Sequence, residues 1–306
     1  MRIAVADLGT NSTRLLIADV DPDGRLTEVE RRTDVTRLGE GVDATGRLDE
    51  AAMERVHERL AGYRELADRS GAERRVAVAT SAVRDATNGA AFRAAVQRRH
   101  GFETEVISGE REARLTFLGA TAGRTGGPTL VFDIGGGSTE YVIGFPGETP
   151  SFHVSTRLGS VRQTERHLAS DPPLLSELER LMHEVAETVR AGVPEQLRQA
   201  TGRGIAVAGT ATSLAAIDQQ LDPHDPAGVH GYPLTLEAAE RILAELAALP
   251  VSERREVTGL LPARAPTIVA GAAILVESLR AFGLDFVEVS HADILHGSAI
   301  SAHLYG

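Results

Sequence analysis

Val5-Ala6-Asp7-Leu8-Gly9-Thr10-Asn11-Ser12-Thr13-Arg14-Leu15-Leu16-Ile17 and Val131-Phe132-Asp133-Ile134-Gly135-Gly136-Gly137-Ser138-Thr139-Glu140-Tyr141-Val142-Ile143 follow one pattern. Each reads as an apolar strand, an aspartate, a turn of small or hydroxylated residues, and a second apolar strand. The two aspartates stand 126 positions apart, about one domain. A supersecondary unit repeated at that spacing predicts two homologous lobes facing each other across a cleft. A tight glycine-rich turn gathers successive backbone N–H groups into a concavity that suits phosphate oxygens. Gly135, Gly136 and Gly137 let an anion approach the backbone closely, and Thr10, Ser12, Thr13, Ser138 and Thr139 add hydroxyl donors. Asp7 and Asp133, at strand ends, can hold a divalent cation or its water. Either loop alone reads first as an ordinary hairpin turn. The pair at domain spacing points to a ligand.

Working outward, apolar β-type runs alternate with helical patterns. Strands are expected at 3–7, 14–20, 75–79, 103–107, 129–134, 139–145, 204–208 and 285–289. Helices are expected at about 50–69, 87–99, 110–120, 176–198, 236–248, 267–282 and 292–304. The clearest is 50–69, where Met53, Val56, Leu60, Tyr63 and Leu66 recur every three or four residues. This alternation predicts an α/β fold with mixed sheets flanked by helices. The glycine-rich breaker Ala122-Gly123-Arg124-Thr125-Gly126-Gly127-Pro128 sets the expected boundary, with lobes at 1–124 and 125–306. The C-terminal helix, about 291–305, is a candidate to pack back on the first lobe. Leu221–Gly228 reads as a loop inside the second half.

Composition narrows the function. The 306 residues carry a net charge of −11, and aromatics are only 4% with no Trp. That disfavours a nucleic-acid coat, a membrane-surface protein and a base-stacking platform. There is no Cys, which excludes disulfides, cysteine zinc sites and cysteine-phosphatase chemistry. There is also no Lys, so all 32 cations are Arg. That removes the Walker A lysine, the protein-kinase lysine and any lysine Schiff base. No run approaches the ~18 apolar residues of a membrane span. The N-terminus enters the strand-like Ile3-Ala4-Val5-Ala6 without a charged-then-apolar leader, so a cytoplasmic location is expected.

Three further segments could carry chemistry. Gly209-Thr210-Ala211-Thr212-Ser213 follows a strand and precedes a helical pattern, a strand–loop–helix arrangement whose N–H groups suit an anion. Ser108-Gly109-Glu110-Arg111-Glu112 opens a helix with acids in its first turn. These acids complement the helix dipole, or one of them is a base at a site wall, and spacing does not choose between Glu110 and Glu112. Arg84 can clamp phosphate with its planar fork of donors. One pattern is a decoy. Asp19-Val20-Asp21-Pro22-Asp23-Gly24 with Glu30 matches a calcium-loop spacing, but its flanks read as strands, so a hairpin turn is expected. His291 and His296 show no tight metal-ligand spacing.

Together the motifs resemble the exopolyphosphatase/guanosine pentaphosphate phosphatase family, a branch of the actin/hexokinase/heat-shock-70 superfamily. The matching segments run in the family's order over nearly the whole chain. They are Asp7–Arg14, Thr80–Asn88, Ile107–Leu115, Asp133–Glu140, Arg157–Val161 and Gly209-Thr210. The resemblance implies two RNase-H-like, actin-like ATPase lobes with the active site in the cleft between them. It implies Glu112, which precedes Ala-Arg-Leu, as the catalytic base. It places Asp133 and Glu140, with Asp7, at a Mg²⁺ or other divalent cation. Thr10, Asn11, Ser12, Arg14, Arg84, Gly135, Gly136, Gly137, Ser138, Gly209 and Thr210 are implied at the phosphate chain. Relatives are commonly homodimers. Two departures stand out: Arg111 sits where members often carry an acid, and Ser290-His291-Ala292-Asp293-Ile294-Leu295-His296-Gly297 stands where many read Leu-Arg-Glu-Gly.

The expected activity is therefore metal-assisted hydrolysis of the terminal phosphoanhydride of inorganic polyphosphate. Guanosine pentaphosphate is the alternative substrate. An actin-like kinase or ATPase, or a phosphate sensor without turnover, are the readings from other classes.

Overall fold

The first strand, β1 (Arg2–Leu8), is buried along almost its whole length, and its alternating side chains feed two separate layers. In the computed structural model, which describes residues 1–222 and 227–305, Ala4, Ala6 and Leu8 pack with Val56 and Leu60 on one face of the sheet. Ile3 and Val5 pack with Leu295 and Ala299 on the other. Period-two alternation with both faces apolar is what places a strand at the centre of a helix-covered sheet.

The chain divides into two units, Met1–Gly123 with Asp293–Gly306, and Arg124–Ala292. The sheet of unit 1 contains β1, β2 (Ser12–Val20), β3 (Leu26–Val35), β4 (Arg74–Ala79) and β5 (Glu103–Val106), in the order β3-β2-β1-β4-β5. β2 runs antiparallel to β1 and β3 antiparallel to β2, while β4 and β5 run parallel to β1. Its helices are α1 (Val42–Thr45), α2 (Glu50–Arg69), α3 (Ser81–Asp85), α4 (Gly89–His100) and α5 (Gly109–Thr121). α2 has the expected bounds. Asp49 caps it by accepting from Ala52 N at 3.0 Å, and its apolar stripe turns inward.

Unit 2 repeats the plan. β6 (Thr129–Ile134), β7 (Thr139–Gly144), β8 (Phe152–Thr156), β9 (Arg203–Val207), β10 (Tyr232–Thr235) and β11 (Phe286–Val289) form a sheet ordered β10-β11-β9-β6-β7-β8. With β10 set aside as an added edge strand, both sheets share the RNase-H-like arrangement, so the expected α/β class with two mixed sheets is the observed one. The helices are α6 (Ser160–His167), α7 (Leu175–Gly192), α8 (Glu195–Ala200), α9 (Ala208–Asp218), α10 (Leu236–Ala248), α11 (Val251–Arg254) and α12 (Ile268–Phe282). α12 is apolar on nearly all sides and is buried along most of its length. The last helix, α13 (Ile294–Tyr305), belongs to unit 1 and lies against α5. A Cβ on Gly297 would sit 1.8 Å from the Leu115 carbonyl oxygen, so only glycine admits that approach.

Some expectations change. The single helix expected at 176–198 is two, because Val193 is extended before Pro194, which lacks the N–H that a continuous helix needs. α3, α6, β8 and β10 are too short to show a period in sequence. Pro223 to Pro226 of the expected 221–228 loop lie outside the described residues. Among the described residues, no helix is long and apolar enough to cross a membrane.

Candidate active site

In unit 1 the β1–β2 turn closes through Gly9 N donating to Ser12 O at 3.1 Å. Its outer carbonyls are already used. Thr10 O accepts from Gly39 N at 2.8 Å, and Asn11 O accepts from Thr36 N and Arg37 N at 3.1 and 2.9 Å. With the carbonyls turned into that loop, the Thr10 and Asn11 N–H groups have no backbone acceptor among the described residues, as an anion-binding turn requires. Thr10 Oγ1 lies 2.9 Å from Ser81 Oγ, tying the turn to α3.

β1 pairs with β4, and β4 with β5, in parallel, so the residues that follow these strands emerge at one end of the sheet. Arg84 of α3 and Glu112 of α5 meet there. Arg84 Nη1 donates to Glu112 Oε2 and to Ile107 O, each at 3.1 Å. Ser108 Oγ caps α5 by accepting from Arg111 N at 3.2 Å, and the helix N-terminus favours a carboxylate in its first turn. The two acids have different surroundings. Glu112 is only 8% exposed and held by Arg84, whereas Glu110 is exposed and pairs with Arg114 at 2.8 Å. Arg111 turns toward α13, donating to Ser301 Oγ at 3.1 Å.

Arg14 is positioned differently from a free phosphate clamp. It stands opposite Asp7 in the β1–β2 ladder. Its Nε and Nη2 donate to Asp7 Oδ2 at 2.9 and 2.6 Å, and its Nη1 donates to Asp293 Oδ2. Asp7 Oδ1 is buried and has no hydrogen-bond partner among the described residues. Burial holds the Asp7 carboxyl above its ordinary range, offset only in part by Arg14. For Asp293, burial also opposes ionisation, but Arg14, His296 and Arg31 together hold it well below the usual carboxylate range. His296 Nε2 lies 2.9 Å from Glu28 Oε1, so this histidine belongs to the ionic cluster around Asp293. Asp293, in the departing C-terminal loop, was not legible as a partner of Arg14 because 279 residues separate them.

Unit 2 uses the same turn, closed by Gly135 N to Ser138 O at 3.0 Å. Here the N-terminus of α6 takes the carbonyls. Gly135 O accepts from Ser160 N, and Gly136 O from Val161 N, both at 2.9 Å, while Gly137 O accepts from Arg162 Nε at 2.8 Å. The backbones are so close that a Cβ on Gly159 would lie 2.2 Å from Gly136 O. The N–H groups of Gly136, Gly137 and Ser138 have no acceptor among the described residues. Asp133 stands directly opposite Glu140, and such residues share a face of the sheet. Glu140 is 3% exposed and accepts from Ser155 Oγ at 2.8 Å. Two carboxylates facing each other in one ladder pair, with all-oxygen donors, fit a hard divalent cation such as Mg²⁺.

β9 runs parallel to β6, with Val207 beside Asp133, so the start of α9 lies at the same sheet end as the glycine turn. Ala208 takes a positive φ of 66° at that junction, and Thr210 Oγ1 donates to Ile134 O at 3.4 Å. The N-cap residue Val207 supplies no side-chain cap, so no N-cap side chain takes the first-turn N–H groups. The Arg264 guanidinium packs against Gly209, and sequence reading had not singled it out.

Residues 16–305 match the model of the Ppx/GppA phosphatase family. The chain is 40% identical to a protein of Mycobacterium tuberculosis named exopolyphosphatase 2, over 98% of both chains. The crystal structure of the Aquifex aeolicus Ppx/GppA family member superposes with a TM-score of 0.84 at 33% identity, covering 99% of this chain and 98% of that one. An exopolyphosphatase structure from Cytophaga hutchinsonii gives 0.88 at 27% identity, covering 99% and 97%. With the family model spanning most of its length, and with relatives and solved structures matching it nearly end to end, this chain belongs to the Ppx/GppA phosphatase family.

Proposed function

We propose that this chain is an exopolyphosphatase, which hydrolyses the terminal phosphoanhydride bond of inorganic polyphosphate and releases orthophosphate. The observation that carries this reading is the buried Glu112 carboxylate, oriented by Arg84 at the sheet end that also bears the Thr10–Ser12 turn. Glu112 accepts a proton from the attacking water. Arg84 orients that carboxylate and directs its remaining N–H groups at phosphate oxygens. In unit 1 the turn at Thr10, Asn11 and Ser12 offers donors to phosphate oxygens, and in unit 2 the turn at Gly135, Gly136, Gly137 and Ser138, with Gly209 and Thr210, offers its own. Arg14 positions Asp7. A Mg²⁺ or other divalent cation, for which Asp133 and Glu140 are the candidate holders in unit 2, would offset charge on the reacting phosphoryl group. Phosphoryl transfer asks mainly for positioning and electrostatics, which suits a site without a covalent nucleophile.

The test is phosphate release from long-chain polyphosphate with and without added Mg²⁺. Glu112→Gln is expected to lower turnover by about 10²–10⁴-fold, the usual contribution of a general base, while substrate still binds. Near-normal turnover in the folded variant refutes the assignment. Guanosine pentaphosphate, which ends in the same anhydride, is the second candidate substrate, and matched assays rank the two. A homodimer, resting on the sequence resemblance, and a cytoplasmic location complete the proposal.

A further inference from the structure

We infer that unit 1 carries an anion-binding extension beside Glu112, in which Arg93 holds phosphates that lie away from the scissile bond; this rests on the polyphosphate reading above. A cavity of about 490 Å³ opens between α3, the start of α4 and β5, within the size range of small-molecule sites. Arg84 and Arg93 both line it. Arg84 is also the residue that bonds Glu112, so one arginine serves both the cavity wall and the assigned base.

Arg93 is exposed and makes no hydrogen bond or ion pair among the described residues. Many arginines of unit 1 are engaged, Arg14 with Asp7, Arg74 with Glu103 and Arg99 with Glu54 among them. An arginine left without a carboxylate keeps its whole planar fork of donors for a ligand, and that fork matches phosphate oxygens. Thr87 is not an extra donor, because its hydroxyl is given to Gly46 O at 3.1 Å. Glu105, an exposed carboxylate on the same wall, opposes an anion. Its charge limits affinity. β5 is the edge strand of its sheet, so no further strand of unit 1 covers this wall. A linear polyanion with its end at Glu112 thus has a route past Arg84 to Arg93, and a short one fills only the inner part.

The experiment measures equilibrium binding and steady-state phosphate release at low salt, with long-chain polyphosphate and with tripolyphosphate. Arg93→Ala is expected to weaken long-chain binding about three- to tenfold, as loss of one exposed charge-assisted contact would. It should raise KM with little change in kcat and weaken tripolyphosphate less, and the difference should shrink at high salt. Glu105→Gln should tighten long-chain binding by about two- to threefold. Arg98→Ala, an exposed arginine of the same helix outside the cavity lining, serves as the charge control and should behave as wild type. Equal weakening of both substrates by Arg93→Ala, no weakening, or the same loss from Arg98→Ala overturns the inference. Wild type that releases no phosphate from either substrate defeats the exopolyphosphatase reading instead, and the binding measurements still decide whether Arg93 holds the chain.

Discussion

The hairpins of the two units are the same backbone device carrying opposite chemistry. Both close with a glycine N–H on a serine carbonyl, at Gly9 and Ser12 and at Gly135 and Ser138. Both set an aspartate against a directly opposed ladder partner. In unit 1 that partner is Arg14, which pairs with Asp7 and reaches on to Asp293. In unit 2 it is Glu140, so two acids share the position. Like charges directly opposite in a ladder are destabilising, and the arrangement becomes favourable when a cation lies between them. Unit 1 thus sets opposite charges across its ladder pair, whereas unit 2 sets two acids across its own.

The largest expected effect comes from erasing that difference. Glu140→Arg would give unit 2 the ion pair of unit 1. Phosphate release should fall by about 10²-fold or more, comparable to losing one preorganised electrostatic contributor, and added Mg²⁺ should no longer raise it. A Mg²⁺ titration of the purified variant checks this. The converse change, Arg14→Met, leaves Asp7 and Asp293 buried without their shared cation. Breaking a buried pair from one side costs about 3–5 kcal/mol, to be read from urea unfolding. A variant within 1 kcal/mol of wild type would show that Arg14 is not the internal counter-ion.

A smaller effect separates the units by pH. Unit 1 buries His57 and His100 against each other, with Nδ1 and Nε2 3.0 Å apart. Burial lowers His100 to about 4, and it lowers His57 as well. Because the folded-state values lie below the ordinary 6.5, the unfolded chain binds more protons. The neutral pair therefore stabilises fully above about pH 6.5, and that stability is lost as pH falls toward 4, by roughly 2 kcal/mol. His100→Gln should flatten the stability-against-pH curve over that window in denaturant titrations. The smallest effect tests how finely Glu140 is held. Ser155→Ala removes the hydroxyl that donates to its Oε1. It should weaken apparent Mg²⁺ affinity by about tenfold, the low end for an outer-shell partner, with kcat at saturating Mg²⁺ little changed.

The calcium-like pattern at 19–30 illustrates how far spacing can be trusted. Asp21 Oδ1 accepts from Asp23 N and Arg25 N at 3.0 and 2.8 Å, which turns β2 into β3. Asp19 is meanwhile paired with Arg2. The same residue spacing serves a hairpin because strands, not helices, flank it.

What the chain's own order of residues determined was local: the two hairpins, the boundaries of α2 and α10, the turn at Asp21, and the alternation that makes an α/β fold. Those follow from backbone sterics and from periods of two and 3.6, which neighbours in sequence carry. Tertiary structure alone decided that Glu112 rather than Glu110 meets Arg84, that Asp293 closes on Arg14, that Arg264 reaches Gly209, and that Arg93 meets no carboxylate among the described residues. Side-chain charges act through space over a few ångströms, and only the packed sheet ends bring residues far apart in the chain within that range.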